Sequence, residues 1–582
     1  MLCGFSAVFA AVFFSLRGAS TDPIVSAPVQ AEREPDRLVP ADNRISGIVV
    51  PHHDIVRERR SAFFETVQKK FFHTNPPRTI ILLSPNHFNA GSAAIQTVDR
   101  EWHTIFGSIQ PASSIIRALS DTGIASIEPS SFKQEHGILL ILKDIKKYFP
   151  SASLVPIIVK ERASRSDIEQ LVSFLNYSCG SCFVVASVDF SHYQPAALAD
   201  LHDRLTLRSL RNRDIPTLLD KSEVDSPQSL AILALWASMH TTDRFVLFDH
   251  TNSGVITGDP DRESTSHVFG SYESLEAVVP ERSVTFAFAG DMMYGRAVGF
   301  HYEKKGFQKL FDQFGDRVLR GFDAVLANLE GPISEGKVAY DPALRSLSFN
   351  FPKQTLDALS YLRLDGVSLA NNHTLNQGVN GLDTTRALLT KKRIAPIGDP
   401  SAVNTSTVAF FEGEGLRLAV VGVHAFADMT GTEDVIRSLK KNPHTRVVVF
   451  PHWGVEYALK HSAQQEKLAR SWIDAGADAV IGAHPHVIQD IGVYKGKPIF
   501  YSLGNFIFDQ NFAIDTQQGL IVAGEFTDKG LSVVLLPHES IRYQPKLLRG
   551  KAKKTIIKRI TRGIENYHAQ GQGGSLLNFP SP

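Results

Sequence analysis

The feature that most restricts how this chain can fold recurs along its length: a short β-branched or aliphatic run that stops abruptly at histidine, aspartate or asparagine. Ile48 to Val50 runs into Pro51, His52, His53 and Asp54; Thr79 to Leu83 into Ser84, Pro85, Asn86 and His87; Phe183 to Val188 into Asp189, Phe190, Ser191 and His192. Further on, Val284 to Gly290 ends in Asp291, Ala324 to Ala327 in Asn328, Leu329 and Glu330, and Val367 to Ala370 in Asn371, Asn372 and His373. Arg446 to Phe450 leads to Pro451, His452, Trp453, Gly454, Val455 and Glu456, and Ala479 to Gly482 to Ala483, His484, Pro485 and His486. Apolar runs of this length, separated by helical stretches, are the pattern of α/β folds. In open α/β sheets ligands gather at the carboxyl ends of strands, so polar residues placed there mark sites. Any one of these ends has a bland reading as a helix cap or a surface group; their number argues for a shared purpose.

At roughly 150 residues per domain, 582 residues allow several domains, which large α/β units reduce to two or three. The polar stretch Ser271 to Ser283 precedes a fresh strand and divides the chain, giving expected domains at 45–276 and 284–545 with no internal repeat linking them. With 43% apolar and 21% charged residues the composition is that of a globular protein. The balance of 61 Lys and Arg against 60 Asp and Glu leaves a formal charge of +1, so no global field recruits nucleic acid, and none is expected as a partner. Three cysteines exclude a disulfide framework and any multi-thiolate zinc module. Cys179 and Cys182 read as a structural pair, either reduced or bridged.

Residues 1–20 hold the uncharged apolar run Leu2 to Leu16, too short in a helix for the roughly 30 Å hydrocarbon core, and fit an export signal or N-terminal membrane anchor. The expected placement of the domains is therefore outside the cytoplasm, with a cytoplasmic placement as the alternative, and 21–44 reads as a linker. Residues 546–582 read as a basic helix, packing Ile556, Ile557, Ile560 and Ile564 on the preceding domain, followed by a disordered tail.

In the second half the motifs GDMM, NLEGP, ANNH, HWGVE, GAHPHV and YSLGNFIFD, in that order from about Val284 to Pro537, resemble the CapA family of poly-γ-glutamate capsule proteins, which belongs with the calcineurin-like metallophosphoesterases. The resemblance implies a four-layer αββα sandwich. It implies Asp291 and His486 on one metal, Asn372, His452 and His484 on another, Glu330 as the bridging carboxylate, and His373 as the general acid. Two divalent ions about 3.5 to 4 Å apart would activate a bridging water and clamp a phosphoryl or carbonyl oxygen. The wider superfamily has histidine where this chain has Met293 and aspartate where it has Glu330, which puts full occupancy of the second metal position in question. Arg296 is a candidate for holding an anionic substrate, and Asn505 for lining the cleft or capping a turn.

In the first half PHHD, LSPNH, EHGILLILKD, VPIIV and SVDFSHY resemble the Memo family, related in fold to class III extradiol dioxygenases, over about Ile45 to Glu276. The resemblance maps His52, His87, Asp189 and His192 onto metal-pocket positions, with Glu135 and His136 beside them. Two imidazoles and a carboxylate suit a non-haem iron triad, yet Asp249, His250, Asn252 and Ser253 offer no clear match for a third ligand.

The expectation is thus an α/β protein of two domains that takes divalent ions of the Mn, Zn or Fe kind, two in the second domain and one in the first. Its substrate would be an anionic polymer or a phosphoester. The alternatives are a polymer-binding assembly or export factor with vestigial metal sites, and iron-dependent oxidative chemistry in the first half.

Overall fold

The computed structural model describes residues 44–274, 281–334, 347–569 and 575–580. The apolar N-terminal run, most of the linker and the middle of the 271–283 segment lie outside these. Among the described residues no helix is long and apolar enough to cross a membrane.

The first half is a nine-stranded sheet whose centre is parallel, with Ile45–Val50, Phe183–Ser187, Thr79–Pro85 and Ser153–Val159 side by side in that order. These strands are apolar without alternation because both faces are covered. Val49, Ile81, Val155 and Val184 pack on one face with Leu230 and Trp236 of helix Pro227–Met239. Ile48, Val50, Ile80 and Leu154 pack on the other with Phe63 and Phe64 of helix Arg57–Phe71. Strands Arg244–Asn252 and Ser264–Glu273 close one edge antiparallel. The order places the ends carrying His52, Asp189 and His87 on three neighbouring strands. Cys179 and Cys182 form a disulfide just after helix Arg165–Ser178.

The second half stacks two sheets. One runs Ala395–Ile397, Gly366–Ser368, Ala324–Leu329, Ser283–Met292, Gln518–Thr527, Gly530–Ile541 and Gln544–Leu547; the other runs Ala409–Glu412, Arg417–His424, Thr445–His452, Ala479–Ile481, Lys497–Phe500 and Ile491–Tyr494. Phe286, Phe288, Leu326 and Val522 of the first meet Leu418, Val420, Phe450 and Ile481 of the second in one buried cluster. On the outer faces, Val325 and Ala327 pack with Leu359 and Leu382, and Val447 and Val449 with Ile436 and Trp472, each from helices. This is the four-layer αββα arrangement expected.

The tail departs from expectation. Helix Gly550–Ile560 does pack, burying Ile556, Ile557 and Ile560 between the sheets' edges, and Ile564 is buried beyond it. Instead of a disordered end, however, Leu576–Pro580 forms a strand antiparallel to Gly530–Ile541. The reason is a period of two: Leu577 and Phe579 enter the core while Asn578 faces out.

The two α/β halves form one compact unit. Helix Ala196–Asn212 of the first half lies on the second, contributing Leu198 and Leu201 to its core cluster. Arg208 pairs with Asp323, Arg204 with Glu525 at 2.6 Å and Arg317 with Glu223 at 2.6 Å. Gly321, at φ +78°, comes so close to the His202 backbone that a Cβ there would lie 3.0 Å from its Cα. His202 is fully buried at this seam, its Nε2 3.3 Å from the Val318 carbonyl.

Candidate metal centres

In the second half both sheets deliver ligand-type side chains to one place. Asp291 lies within its strand's last turn of pairing, Glu330 just after Ala324–Leu329, and Asn371, Asn372 and His373 follow Gly366–Ser368. From the facing sheet come His452, ending Thr445–His452, and His484 and His486 beyond Ala479–Ile481. Asp291, Glu330 and His452 present ligand atoms within 4.8 Å of one another, and so do Glu456, His484 and His486. The two groups touch. His486 Nδ1 is 3.3 Å from Asp291 Oδ2 and its Nε2 3.6 Å from Glu330 Oε1. His452 Nε2 is 2.9 Å from Asn372 Oδ1 and 3.1 Å from His484 Nδ1.

A surrounding layer fixes these groups. Asn328 donates to Asp291 Oδ1 at 2.8 Å and is itself held by Asn371. Asn505 Oδ1 lies 3.0 Å from His486 Nδ1, orienting the ring so that Nε2 faces Glu330. His484 donates its backbone N–H to Asp291 Oδ2, and both His484 and His486 take positive φ, +97° and +58°, on either side of Pro485. Left-handed backbone at bulky residues is strained and persists where function requires it. His373 is held at Nδ1 by Asn376 Oδ1, 2.9 Å away, stacks on Phe349, and has its Nε2 3.9 Å from Glu330 Oε1.

Glu330 Oε1 is buried with no hydrogen-bond partner among the described residues. An orphaned carboxylate oxygen of this kind demands an explanation. Carboxylate, imidazole and amide donors around it are the set that borderline divalent ions accept, so the residues fit such an ion. Burial lifts the Glu330 carboxyl well above the usual carboxylate range, Asp291 and Glu456 adding to it and His486 opposing. Burial and the neighbouring imidazoles hold His452 far below its ordinary value and His484 down at about 4, keeping both in the neutral form that can ligate.

Two further residues bear on the site. Arg296 is already paired with Asp509, its guanidinium lying over Phe349 and Phe508, so its fork is occupied. Met293 is fully buried in the core, and its sulfur accepts the Gly295 N–H at 3.1 Å; nothing ligating replaces the superfamily's histidine at that position.

In the first half, His52, His87 and His136 converge, with ring centroids 3.8 Å apart for His87 and His136 and 4.9 Å for His52 and His87. Glu135 caps the short helix His136–Leu139 and sits 2.6 Å from His87 Nδ1. His52 Nε2 lies 3.4 Å from Asp189 Oδ2 and 3.3 Å from Asp225 Oδ2. Asp225 Oδ1 is buried and unpartnered among the described residues, which repeats the fit seen in the other cluster. Burial opposes protonation of His87, but Asp225 and Glu135 outweigh it and raise the imidazole to about 9. His192 lies near enough to Asp189 for its charge to favour that carboxylate; its backbone N–H donates to Glu223, and its Nδ1 has no hydrogen-bond partner among the described residues. His250 turns to Asp203 at 2.8 Å, and Asn252 caps helix Ser253–Ile256.

Sequence reasoning therefore missed Asp225 and Glu456 as site members. Asp225 lies in the loop before helix Pro227–Met239, where no apolar strand announces it. Glu456 was visible four residues after His452 but lies past the strand end, in a loop.

Residues 285–510 match the family described as "Bacterial capsule synthesis protein PGA_cap", and residues 19–267 match "Memo-like protein". The chain is 32% identical over 253 residues to "PGA biosynthesis protein CapA" of Bacillus subtilis (strain 168), covering 40% of this chain and 66% of that protein. It is 31% identical over 288 residues to "Capsule biosynthesis protein CapA" of Bacillus anthracis, covering 45% and 70%. A "MEMO1 family protein" of Caldivirga maquilingensis is 23% identical over 223 residues, covering 37% of this chain and 78% of that protein. With both sheets of its second half and the clustered strand ends in place, the chain belongs to the CapA family of capsule biosynthesis proteins and carries, fused ahead of that region, a Memo-like one.

Proposed function

We propose that the second half is a divalent-metal-dependent hydrolase or transferase acting on an anionic ester, or on an anionic polymer such as poly-γ-glutamate, in forming the cell envelope. The first half is a second metal- or ligand-binding domain. The observation that carries the reading is the meeting of Asp291, Glu330, His452, His484 and His486, where a buried Glu330 oxygen has no hydrogen-bond partner among the described residues. A bound divalent ion of the Zn, Mn or Fe class supplies Lewis-acid polarisation of a phosphoryl or carbonyl oxygen and activation of water. This chain's residues do the rest. Asn328 and Asn505 hold Asp291 and His486 in orientation. His373, fixed by Asn376 and Phe349, carries the proton on Nε2 toward the leaving group. With a formal charge of +1 the substrate is gathered by these local groups and not by the field of the whole protein.

The test is elemental analysis and phosphodiesterase turnover of wild type, His452→Ala and His484→Ala. The expected outcome is metal in the wild type and a fall of more than about tenfold in metal affinity and turnover in each variant. A wild type without metal, or variants with unchanged turnover, overturns the catalytic reading. Met293 favours a second reading, a polymer-binding assembly factor without chemistry. Polymer pull-down that survives Asp291→Ala and His486→Ala, with no turnover in any form, is what that reading expects.

A further inference from the structure

Strands Ala324–Leu329, Gly366–Ser368 and Ala395–Ile397 carry the metal-type residues at their carboxyl ends. Their amino ends open on a separate cavity of about 520 Å³, closed on one side by Asp220 and Lys221 of the Memo-like half. Cations dominate its wall: Lys221, Arg320, Arg363, Lys392 and Arg393, against Asp220, Asp316 and Asp365. Lys221 is 3.0 Å from Asp365 and Arg320 2.7 Å from Asp316, while Arg363 reaches the Asp220 carbonyl and lies 3.9 Å from its carboxylate. Lys392 makes only a 3.9 Å approach to Asp357, and the Arg393 guanidinium has no hydrogen bond or ion pair among the described residues. The charge balance inside the cavity is therefore positive.

The backbone points the same way. Arg363 follows helix Thr355–Tyr361 and Arg393 follows helix Gly378–Lys391, each just before a strand, and both adopt left-handed φ, +56° and +61°. Glycine is the relaxed residue at such a position after a helix. Two successive helix–strand units thus hold arginine where glycine would be easier, and both arginines face one cavity. A third, Arg213 at φ +54°, ends helix Ala196–Asn212 but turns to Asp243. Burial, with the Arg320 charge added, holds the Arg363 guanidinium below its ordinary value against the opposing carboxylates of Asp220 and Asp316.

We propose that this cavity, between the two halves and at the opposite strand ends from the metal cluster, binds a small phosphate-bearing anion of diphosphate charge. Guanidinium forks match phosphate oxygens in pairs, the volume lies in the range of small-molecule sites, and Tyr361 supplies a ring beside the charged groups. The site is independent of the activity proposed for the metal cluster.

The test is thermal unfolding of the full chain titrated with sodium pyrophosphate, against sodium citrate and sodium chloride at matched ionic strength. The variants are Arg363→Gly with Arg393→Gly, which remove charge while relaxing the backbone, and Asp291→Asn at the metal cluster. The expected result is a saturable rise in Tm with pyrophosphate in the wild type, retained in Asp291→Asn and lost in the double glycine variant, whose own Tm is not lowered by more than a few degrees. No saturable rise, a rise kept by the double glycine variant, a rise abolished by Asp291→Asn, or a response to citrate alone overturns the proposal.

Discussion

Glu456 reaches the cluster from a loop, four residues past the His452 strand end, and lies beside His484 and His486. Removing its charge as Glu456→Gln is expected to weaken divalent-ion affinity of the second half by about tenfold or more, read by chelator competition, without loss of fold. A second residue with a sharp expectation is His538, fully buried, next to Phe506, with neither ring nitrogen hydrogen-bonded among the described residues. Burial pushes this imidazole down to about 3. The folded form then stays neutral where the unfolded chain, titrating near 6.5, takes up a proton. Its contribution is fully present above about pH 6.5 and is lost as the pH falls toward 3, by about 1.4 kcal/mol for each pH unit in that window. His538→Leu is expected to flatten the acid limb of stability between pH 6.5 and 4.5 in urea titrations. An unchanged slope would show that the ring is not held neutral.

At the scale of elements, the terminal strand Leu576–Pro580 tests how much a short edge contributes. Leu577 is fully buried against the sheet interface, so Leu577→Ala is expected to cost about 2 to 5 kcal/mol by urea unfolding. Helix Ala463–Ala475 begins with a capping box in which Ser462 and Gln465 satisfy each other's backbone N–H groups, and Gln465 goes on to bond Gln489. Ser462→Ala is expected to cost about 1 kcal/mol. Ser462 with Gln465 three residues later is the local pattern of a capping box. The last strand was not legible, because two core side chains beside Gly, Ser and Pro look like a tail until the neighbouring strand is known.

At the scale of the whole molecule, the seam between the halves decides whether they behave as one body. Gly321 is needed there for its left-handed φ and its approach to His202. Gly321→Val is expected to cost at least about 1 to 3 kcal/mol and to split a single calorimetric transition into two, one for each half. A single transition in the variant would show that the seam does not couple them. Taken alone, the amino-acid sequence determined the α/β class, the strands that carry Asp291, His452, His484, His486, His52, His87 and Asp189, and the division into two kinds of half, because apolar period and strand-end placement are written locally. The tertiary structure alone decided that Asp225 and Glu456 join those clusters, that Arg296 is paired with Asp509, and that Leu576–Pro580 adds a strand to a sheet. Those outcomes depend on which loops and edges packing brings together across long stretches of chain, and no local pattern encodes that distance.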